Sequence, residues 1–232
     1  PVTCFVVVLR AHIIRVLYGS GAFDWTDTRL TAAVLGVMVI ALAAQGVSLL
    51  LMRALYALKH VYTQLIAQII AFCVTYFVAV YGMHVWQRNP VVQYFFENLF
   101  RVNDISDTSI LILGLAYMCG AVTLTVFLWV VLRVHVPFAR FAAFRRVLVF
   151  SFGASIVGAF VTYSALTILS PYVNLDTFVG VATHAVFALI PGSIAWFAIL
   201  YILGSVELHE FIHALKKRFW KTDIVQGELQ EL

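Results

Sequence analysis

Five long apolar runs constrain the fold of this chain more than any other feature of its sequence. They lie at about 29–52, 61–85, 109–132, 147–170 and 178–206. Each run is long enough to cross the hydrocarbon of a bilayer as a helix, which takes about 20 residues. Residues 1–18 have the composition of the last part of a sixth span. The sequence therefore predicts an all-α fold, a polytopic membrane helix bundle of about six transmembrane helices with the first one truncated.

Composition agrees with a lipid environment. Of the 232 residues, 63% are hydrophobic and only 11% are charged, whereas soluble domains carry about 25% charged residues. This is too little charge to cover a surface that faces water. The net charge of +4 does not indicate nucleic acid as a partner, because ten of the fifteen Lys and Arg residues lie near three span ends.

These basic residues predict the orientation, because cytoplasmic segments of membrane proteins are enriched in Lys and Arg. They are Arg53 and Lys59, then Arg133, Arg140, Arg145 and Arg146, then Lys216, Lys217, Arg218 and Lys221. Arg10 and Arg15 depart from the pattern, since they lie near the outer end of the first span. We expect a transmembrane lobe at 1–206 and a cytoplasmic basic tail at 207–232.

One connector has a pattern of its own. Residues 90–102 (PVVQYFFENLFRV) are aromatic and mildly amphipathic. Such a stretch is typical of a short helix that lies in the membrane interface. A docking surface for a partner is the alternative interpretation.

Small residues within the spans predict where helices approach each other closely. Ala116/Gly120 and Ala154/Gly158 have the four-residue spacing of such contacts. Pro191-Gly192 should kink or loosen the last span, because proline cannot donate the helical hydrogen bond. This site could be a static irregularity or a hinge used in transport.

One motif match suggests metal chemistry. His209, Glu210 and His213 fit the H-E-x-x-H pattern, in which two histidines bind zinc and the glutamate is the general base. A catalytic zinc needs a third protein ligand, and only Asp223, Glu228 and Glu231 follow in the basic tail. We therefore predict no metal site, although a membrane zinc protease remains a rival hypothesis. The chain has no P-loop, dinucleotide fingerprint or nucleophile elbow, so we predict neither an enzyme nor a cofactor.

Polar residues inside membrane spans are candidates for function. Those in this chain are Gln45, Gln64, Gln68, Thr123, Thr125, Thr183 and His184. Gln and Thr more often bond across helices or to their own backbone, and a buried neutral state is expected for His184. Arg53, at the end of the second span, could extend to the headgroups or point into a cavity and hold a phosphate.

Two segments resemble a known family. Residues 13–23 (IIRVLYGSGAF) resemble the I-V-R-x-L-F-x-x-G-A-F segment of the MurJ/MviN lipid II flippases, and residues 53–59 (RALYALK) resemble their R-A-F-Y-A segment. This family belongs to the superfamily that includes MATE and polysaccharide exporters. The chain departs from the family pattern at Leu55, at His60, where aspartate is usual, and at Gln64, where proline is usual.

The resemblance implies a two-lobed transporter of fourteen helices, of which this chain would be helices nine to fourteen. The diphosphate head would be held mainly by the N-terminal lobe of the same protein, and the last two helices would form a groove for the polyprenyl tail. The candidate substrate-binding residues are Arg53, Tyr56, Gly158 and His184. The implied partners are the bilayer of the bacterial plasma membrane and a polyprenyl-diphosphate-linked saccharide. A polysaccharide or drug exporter, or a membrane scaffold without transport, are the alternatives.

Overall fold

The computed structural model describes residues 1–19, 24–105, 108–136, 141–174 and 177–204, with the backbone alone for 141–146. These residues form seven α-helices and one short 3-10 turn, without a β-strand among them. The helices are α1 (Val2–Tyr18), α2 (Trp25–Ala57), α3 (Val61–Arg88), α4 (Pro90–Phe100), α5 (Ile110–His135), α6 (Phe141–Leu169) and α7 (Phe178–Ile202). The predicted all-α helix bundle is confirmed.

Five of these helices are long and apolar enough to cross a membrane, namely α2, α3, α5, α6 and α7. Their most apolar segments have mean hydropathies between 1.8 and 2.4, and each corresponds to one of the five predicted runs. Helix α1 has 17 residues, so its length of about 26 Å falls short of the hydrocarbon thickness. The multi-pass character is therefore shown, whereas the identity of the membrane and the orientation stay predictions.

The two ends of α2 define the two ends of the bundle. At the first, which we call the Asp24 end, the Asp24 carboxylate accepts from the Trp25 backbone N–H at 2.6 Å. The Asp27 carboxylate accepts in return from the Asp24 backbone N–H at 3.2 Å, which completes a capping box. At the second, the Lys59 end, Lys59 adopts a left-handed conformation with φ 63° and turns the chain into α3.

Helix α5 packs between α2 and α3. The core of this three-helix group consists of Leu51, Leu55, Ala67, Ala71, Leu124 and Leu128. A side chain at Gly120 of α5 would overlap with the Thr75 hydroxyl and would lie 3.1 Å from the Ala71 carbonyl oxygen of α3. The close contact predicted from Ala116/Gly120 is therefore confirmed.

Helix α4 covers the Asp24 end of α3 and α5, and its bounds confirm the short helix predicted at 90–102. Phe96 packs against Trp86 of α3, with ring centroids 6.2 Å apart. Glu97 points inward, where its Oε1 accepts from Gln93 at 2.8 Å and also from the Thr108 hydroxyl. The opposite face exposes Val91, Tyr94, Phe95 and Leu99. An apolar exposed face suits a membrane surface, and that location stays a prediction.

Helices α6 and α7 form a second, antiparallel group. Ala154 packs near Leu200 at one end, and Leu166 packs near Ala188 toward the other. This pair contacts the rest of the described chain chiefly through α1, which also packs against α2. Helix α1 is thus the joint between the α2–α3–α5 group and the α6–α7 pair.

Candidate functional site

The α6–α7 contact is built around two glycines. A side chain at Gly192 would overlap with the Thr162 hydroxyl and would lie 2.8 Å from the Gly158 carbonyl oxygen. A side chain at Gly158 would lie 3.0 Å from the Gly192 carbonyl oxygen and 3.2 Å from the Phe5 ring of α1. The packing expected at Ala154/Gly158 is therefore confirmed, and Gly158 lies where three helices meet.

Helix α7 remains helical on both sides of Pro191. Pro191-Gly192 does not break the helix, and the kink or loosening at this point, like its use as a hinge, stays a prediction. Gly192 instead permits the close approach of α6, and this contact holds the helix against its neighbour.

His184 is buried, with 2% of its surface exposed. Its Nε2 lies 3.0 Å from the Leu166 carbonyl oxygen of α6, and its Nδ1 lies 3.0 Å from Nε2 of His12 on α1. One side chain of α7 therefore links all three helices at the joint. The expectation that His184 is a buried histidine is confirmed.

The Leu166 carbonyl oxygen determines which ring nitrogen carries the proton in each histidine when both rings are neutral. Since the Leu166 carbonyl can only accept, His184 must carry its proton on Nε2, and its Nδ1 must accept from His12. His12 therefore donates through Nε2 and keeps a bare Nδ1, which is buried and has no hydrogen-bond partner among the described residues. With both nitrogens of His184 engaged, a substrate would contact this ring only after the joint opens.

Arg53 and Tyr56 lie far from this joint. Arg53 follows Trp25 by 28 residues, which places it about 42 Å along α2, at the Lys59 end of the bundle. Both side chains are exposed. The four predicted substrate-binding residues thus fall into two places, Arg53 with Tyr56 and Gly158 with His184, and their role stays a prediction.

Most of the remaining polar residues of the spans make hydrogen bonds within the bundle, in agreement with the structural role expected for them. Gln45 bonds to the Tyr117 hydroxyl, and Thr125 bonds to the Ala44 carbonyl oxygen of α2 at 2.8 Å. Thr123 and Thr183 donate to carbonyl groups of their own helices. Gln64 donates to Met52 Sδ at 3.0 Å, whereas Gln68 is exposed.

The H-E-x-x-H residues His209, Glu210 and His213 lie outside the described part of the chain, so the zinc hypothesis stays untested. Within the described ranges, no group of three His, Cys, Asp or Glu side chains has the arrangement of a metal site. His60, which replaces an aspartate of the family pattern, packs edge-on against His135 of α5, with ring centroids 4.2 Å apart.

An ion pair fixes the connector between α4 and α5 at the Asp24 end. Arg29 donates to both carboxylate oxygens of Asp104, at 2.7 and 2.8 Å, and also to the Arg101 carbonyl oxygen. The hydrogen bonds from Arg29 hold the pKa of Asp104 below its ordinary value. Arg101 adopts a left-handed backbone conformation, with φ 57°, where it ends α4.

His12 is a residue of the joint that the sequence did not single out, because it lies in α1, the segment with the composition of a truncated span. The rule that ionisable residues inside spans are functional candidates selects it. The pairing of His12 with His184 joins residues 172 positions apart, and no local pattern predicts it.

No family model, characterised protein or solved structure matches this chain. The fold and the site described above therefore define its class by themselves, as a multi-pass helical membrane protein.

Proposed function

We propose that this chain is part of a flippase that moves a polyprenyl-diphosphate-linked saccharide, lipid II, across the bacterial plasma membrane by alternating access. The proposal rests on the likeness of residues 13–23 and 53–59 to the lipid II flippases. The proposed transport involves no covalent chemistry. An inside-negative potential favours outward movement of an anionic head by about 2.3 kcal/mol per charge per 100 mV.

The structural observation that supports the proposal is the division of the helices into two groups that meet at α1. Alternating access requires parts of a transporter that move relative to each other, and within the proposed C-terminal lobe the α6–α7 pair suits such a part. The α6–α7 pair is internally tight at Gly158 and Gly192, so it suits a body that moves as one unit. The contacts of this pair with α1, the joint, include that between His12 and His184.

The exposed faces of α6 and α7 suit the polyprenyl tail. Apolar side chains cover them without a charge among the described residues. They are Phe152, Ile156 and Phe160 on α6, and Val186, Phe187, Ile190 and Ile194 on α7. Helix α3 has a comparable exposed face, which includes Phe72, so an experiment must distinguish a tail groove from a surface that merely contacts lipid.

The activity is tested in bacterial cells depleted of their own lipid II flippase. The protein that contains this chain is expressed, and lipid II at the outer surface is measured by its cleavage with an enzyme added outside the cells. We expect cleavage to return to the level of undepleted cells. Survival without exposed lipid II, or no rescue by a protein present in the membrane in normal amount, would favour a polysaccharide or drug exporter.

The groove is tested by photo-crosslinking. A photoreactive amino acid replaces Phe160 or Phe187, and Phe72 of α3 provides the matched control with similar exposure. We expect a radiolabelled polyprenyl diphosphate to crosslink at 160 and 187 several times more than at 72. Equal labelling at all three positions would show that these faces contact lipid without selecting the tail.

A further inference from the structure

The hydrogen bonds at the joint leave one buried nitrogen without a proton or a partner. When both rings are neutral, His184 donates to the Leu166 carbonyl oxygen and accepts from Nε2 of His12. Nδ1 of His12 is then a bare acceptor, and it is buried with no hydrogen-bond partner among the described residues. Buried polar atoms without partners are rare, and a bare imidazole nitrogen has a ready ligand in the proton.

A proton added to this pair of rings has one free position. On Nδ1 of His12 it leaves both hydrogen bonds in place, because neither of them uses that nitrogen. On Nδ1 of His184 it would set two N–H groups against each other at 3.0 Å, since Nε2 of His12 already donates there. The first proton therefore belongs to His12.

The helices that build the joint present no carboxylate to a protonated His12. Helices α1, α6 and α7 contain no aspartate or glutamate. The one carboxylate of α2, Asp27, is exposed and closes the capping box at Asp24. Apart from His184, the titratable side chain that α6 and α7 place toward this end is Tyr163, which is exposed.

Two arginines of α1 add positive charge instead. Arg15 lies one turn after His12 on the same helix, with its guanidinium over the Trp25 ring at 5.5 Å. Arg10 lies along α2, where a Cβ at Gly36 would be 3.3 Å from its Cδ. A proton on His12 therefore creates a partly buried cation without a counter-charge, and an N–H without an acceptor among the described residues. Both are unfavourable, and both are relieved when α1 separates from α7 and the ring reaches water.

We propose that His12 and His184 form a proton-binding site whose occupation opens the contact between α1 and the α6–α7 pair. The closed contact is favoured when both rings are neutral, above about pH 6.5, where an imidazole loses its proton. Its stabilisation is lost as the pH falls below that value, because the open form binds the proton more readily. The site stands whether or not the protein translocates a lipid.

Distances between spin labels measure the opening directly. Labels replace Leu42 of α2 and Ile190 of α7, both exposed, in the full chain in nanodiscs with its three cysteines changed to serine. Because α1 packs against α2, the distance from α2 to α7 reports on the contact of α1 with the α6–α7 pair. We expect one distance at about pH 8 and a second, longer one that grows as the pH falls from about 7 to 5. A distribution that stays the same over this range would contradict the proposal.

His12→Gln removes the titratable ring and keeps an amide that can donate to His184. A proton must then go to Nδ1 of His184 at the expense of that bond, so the transition should move at least about one pH unit lower or disappear. His135→Gln is the matched control, because His135 and His60 form another histidine contact at the Lys59 end. This control should leave the transition unchanged. The same midpoint in His12→Gln as in the unaltered protein would assign the transition to other groups and overturn the proposal.

A second measurement decides the question if His12→Gln is already open at neutral pH. Nitrogen-15 NMR of the unaltered protein, with labelled histidines, follows the proton on each ring nitrogen. At about pH 8 both His12 and His184 should carry it on Nε2, and the first proton taken up on acidification should appear on Nδ1 of His12. Uptake by His184 while His12 stays neutral would make the proposal wrong.

Discussion

At the scale of single residues, the joint depends on one buried hydrogen-bonded chain. His184 bonds to Leu166 of α6 and to His12 of α1, so a change there affects three helices at once. Most polar side chains in the other spans bond within one helix or to one neighbour. Their loss should therefore have a smaller effect on stability.

His184→Ala should lower the free energy of unfolding by about 1–3 kcal/mol, because it leaves the Leu166 carbonyl and His12 without partners. Unfolding in mixed micelles, followed by tryptophan fluorescence, measures this change. Thr183→Ala is the control, since that hydroxyl bonds to its own helix, and it should stay within about 0.5 kcal/mol of the unaltered protein. Equal effects of the two variants would show that the His184 contacts contribute little.

The Arg29–Asp104 pair predicts a dependence on pH at the connector between α4 and α5. Because the pKa of Asp104 is lowered in the folded protein, the pair stabilises the connector at neutral pH. This contribution is lost as the pH falls below the ordinary value of 3.8 through the lower folded value. A spin label at Asn103 should become more mobile over that range.

Asp104→Asn provides the comparison for this measurement. It should show the mobile spectrum already at neutral pH, because the neutral amide cannot replace the ion pair. A mobility that does not change with pH in either protein would mean that the connector is held by its apolar contacts, such as that of Val102 with the Trp86 cluster.

At the scale of elements, glycines decide which helices become neighbours. Gly158 and Gly192 bring α6 and α7 together, and Gly120 does the same for α3 and α5. In lipid, association depends on such close packing because apolar side chains gain little by leaving a solvent that is also apolar. The spacing of small residues therefore carries more information here than hydrophobicity does.

Gly158→Ala should destabilise the α6–α7 pair by about 1–3 kcal/mol, the usual effect of overpacking. Its new Cβ would lie 3.0 Å from the Gly192 carbonyl oxygen, whereas a Cβ at Gly153 of the same helix meets nothing within 4 Å. Gly153→Ala is thus the matched control and should be neutral or slightly stabilising. The same loss in both variants would indicate an effect on the helix itself. Unfolding in mixed micelles provides the measurement.

At the scale of the whole molecule, α1 determines how the two helix groups hold together. Leu9 is 6% exposed and packs in a cluster with Ala165, Leu166 and Ala188. The α6–α7 pair depends mainly on α1 for its contact with the rest of the described chain. Weakening α1 should therefore separate the groups before either of them unfolds.

A protease site inserted at 137–140 tests this arrangement. After cleavage, the segment that holds α6 and α7 should stay bound to the segment that holds α1 to α5 in mild detergent, as measured by co-purification. Leu9→Ala should release it, because large-to-small changes in a packed core cost about 2–5 kcal/mol. Leu55→Ala, in the α2–α3–α5 core, should lower the overall stability while the cleaved segments still co-purify. Release in both variants would show that the groups are not held mainly by α1.

The sequence by itself determined the five spans through the length of its apolar runs, the short helix after α3 through its amphipathic pattern, and the close contacts at Gly120 and Gly158 through the spacing of small residues. These features follow from one segment at a time, because a run of about 20 apolar residues can satisfy its backbone in lipid only as a helix. The tertiary structure alone decided that His12 contacts His184 and that Arg29 pairs with Asp104. Those contacts join residues 172 and 75 positions apart. They depend on which helix packs beside which, and hydropathy does not encode this because every span presents similar apolar faces to its neighbours and to lipid.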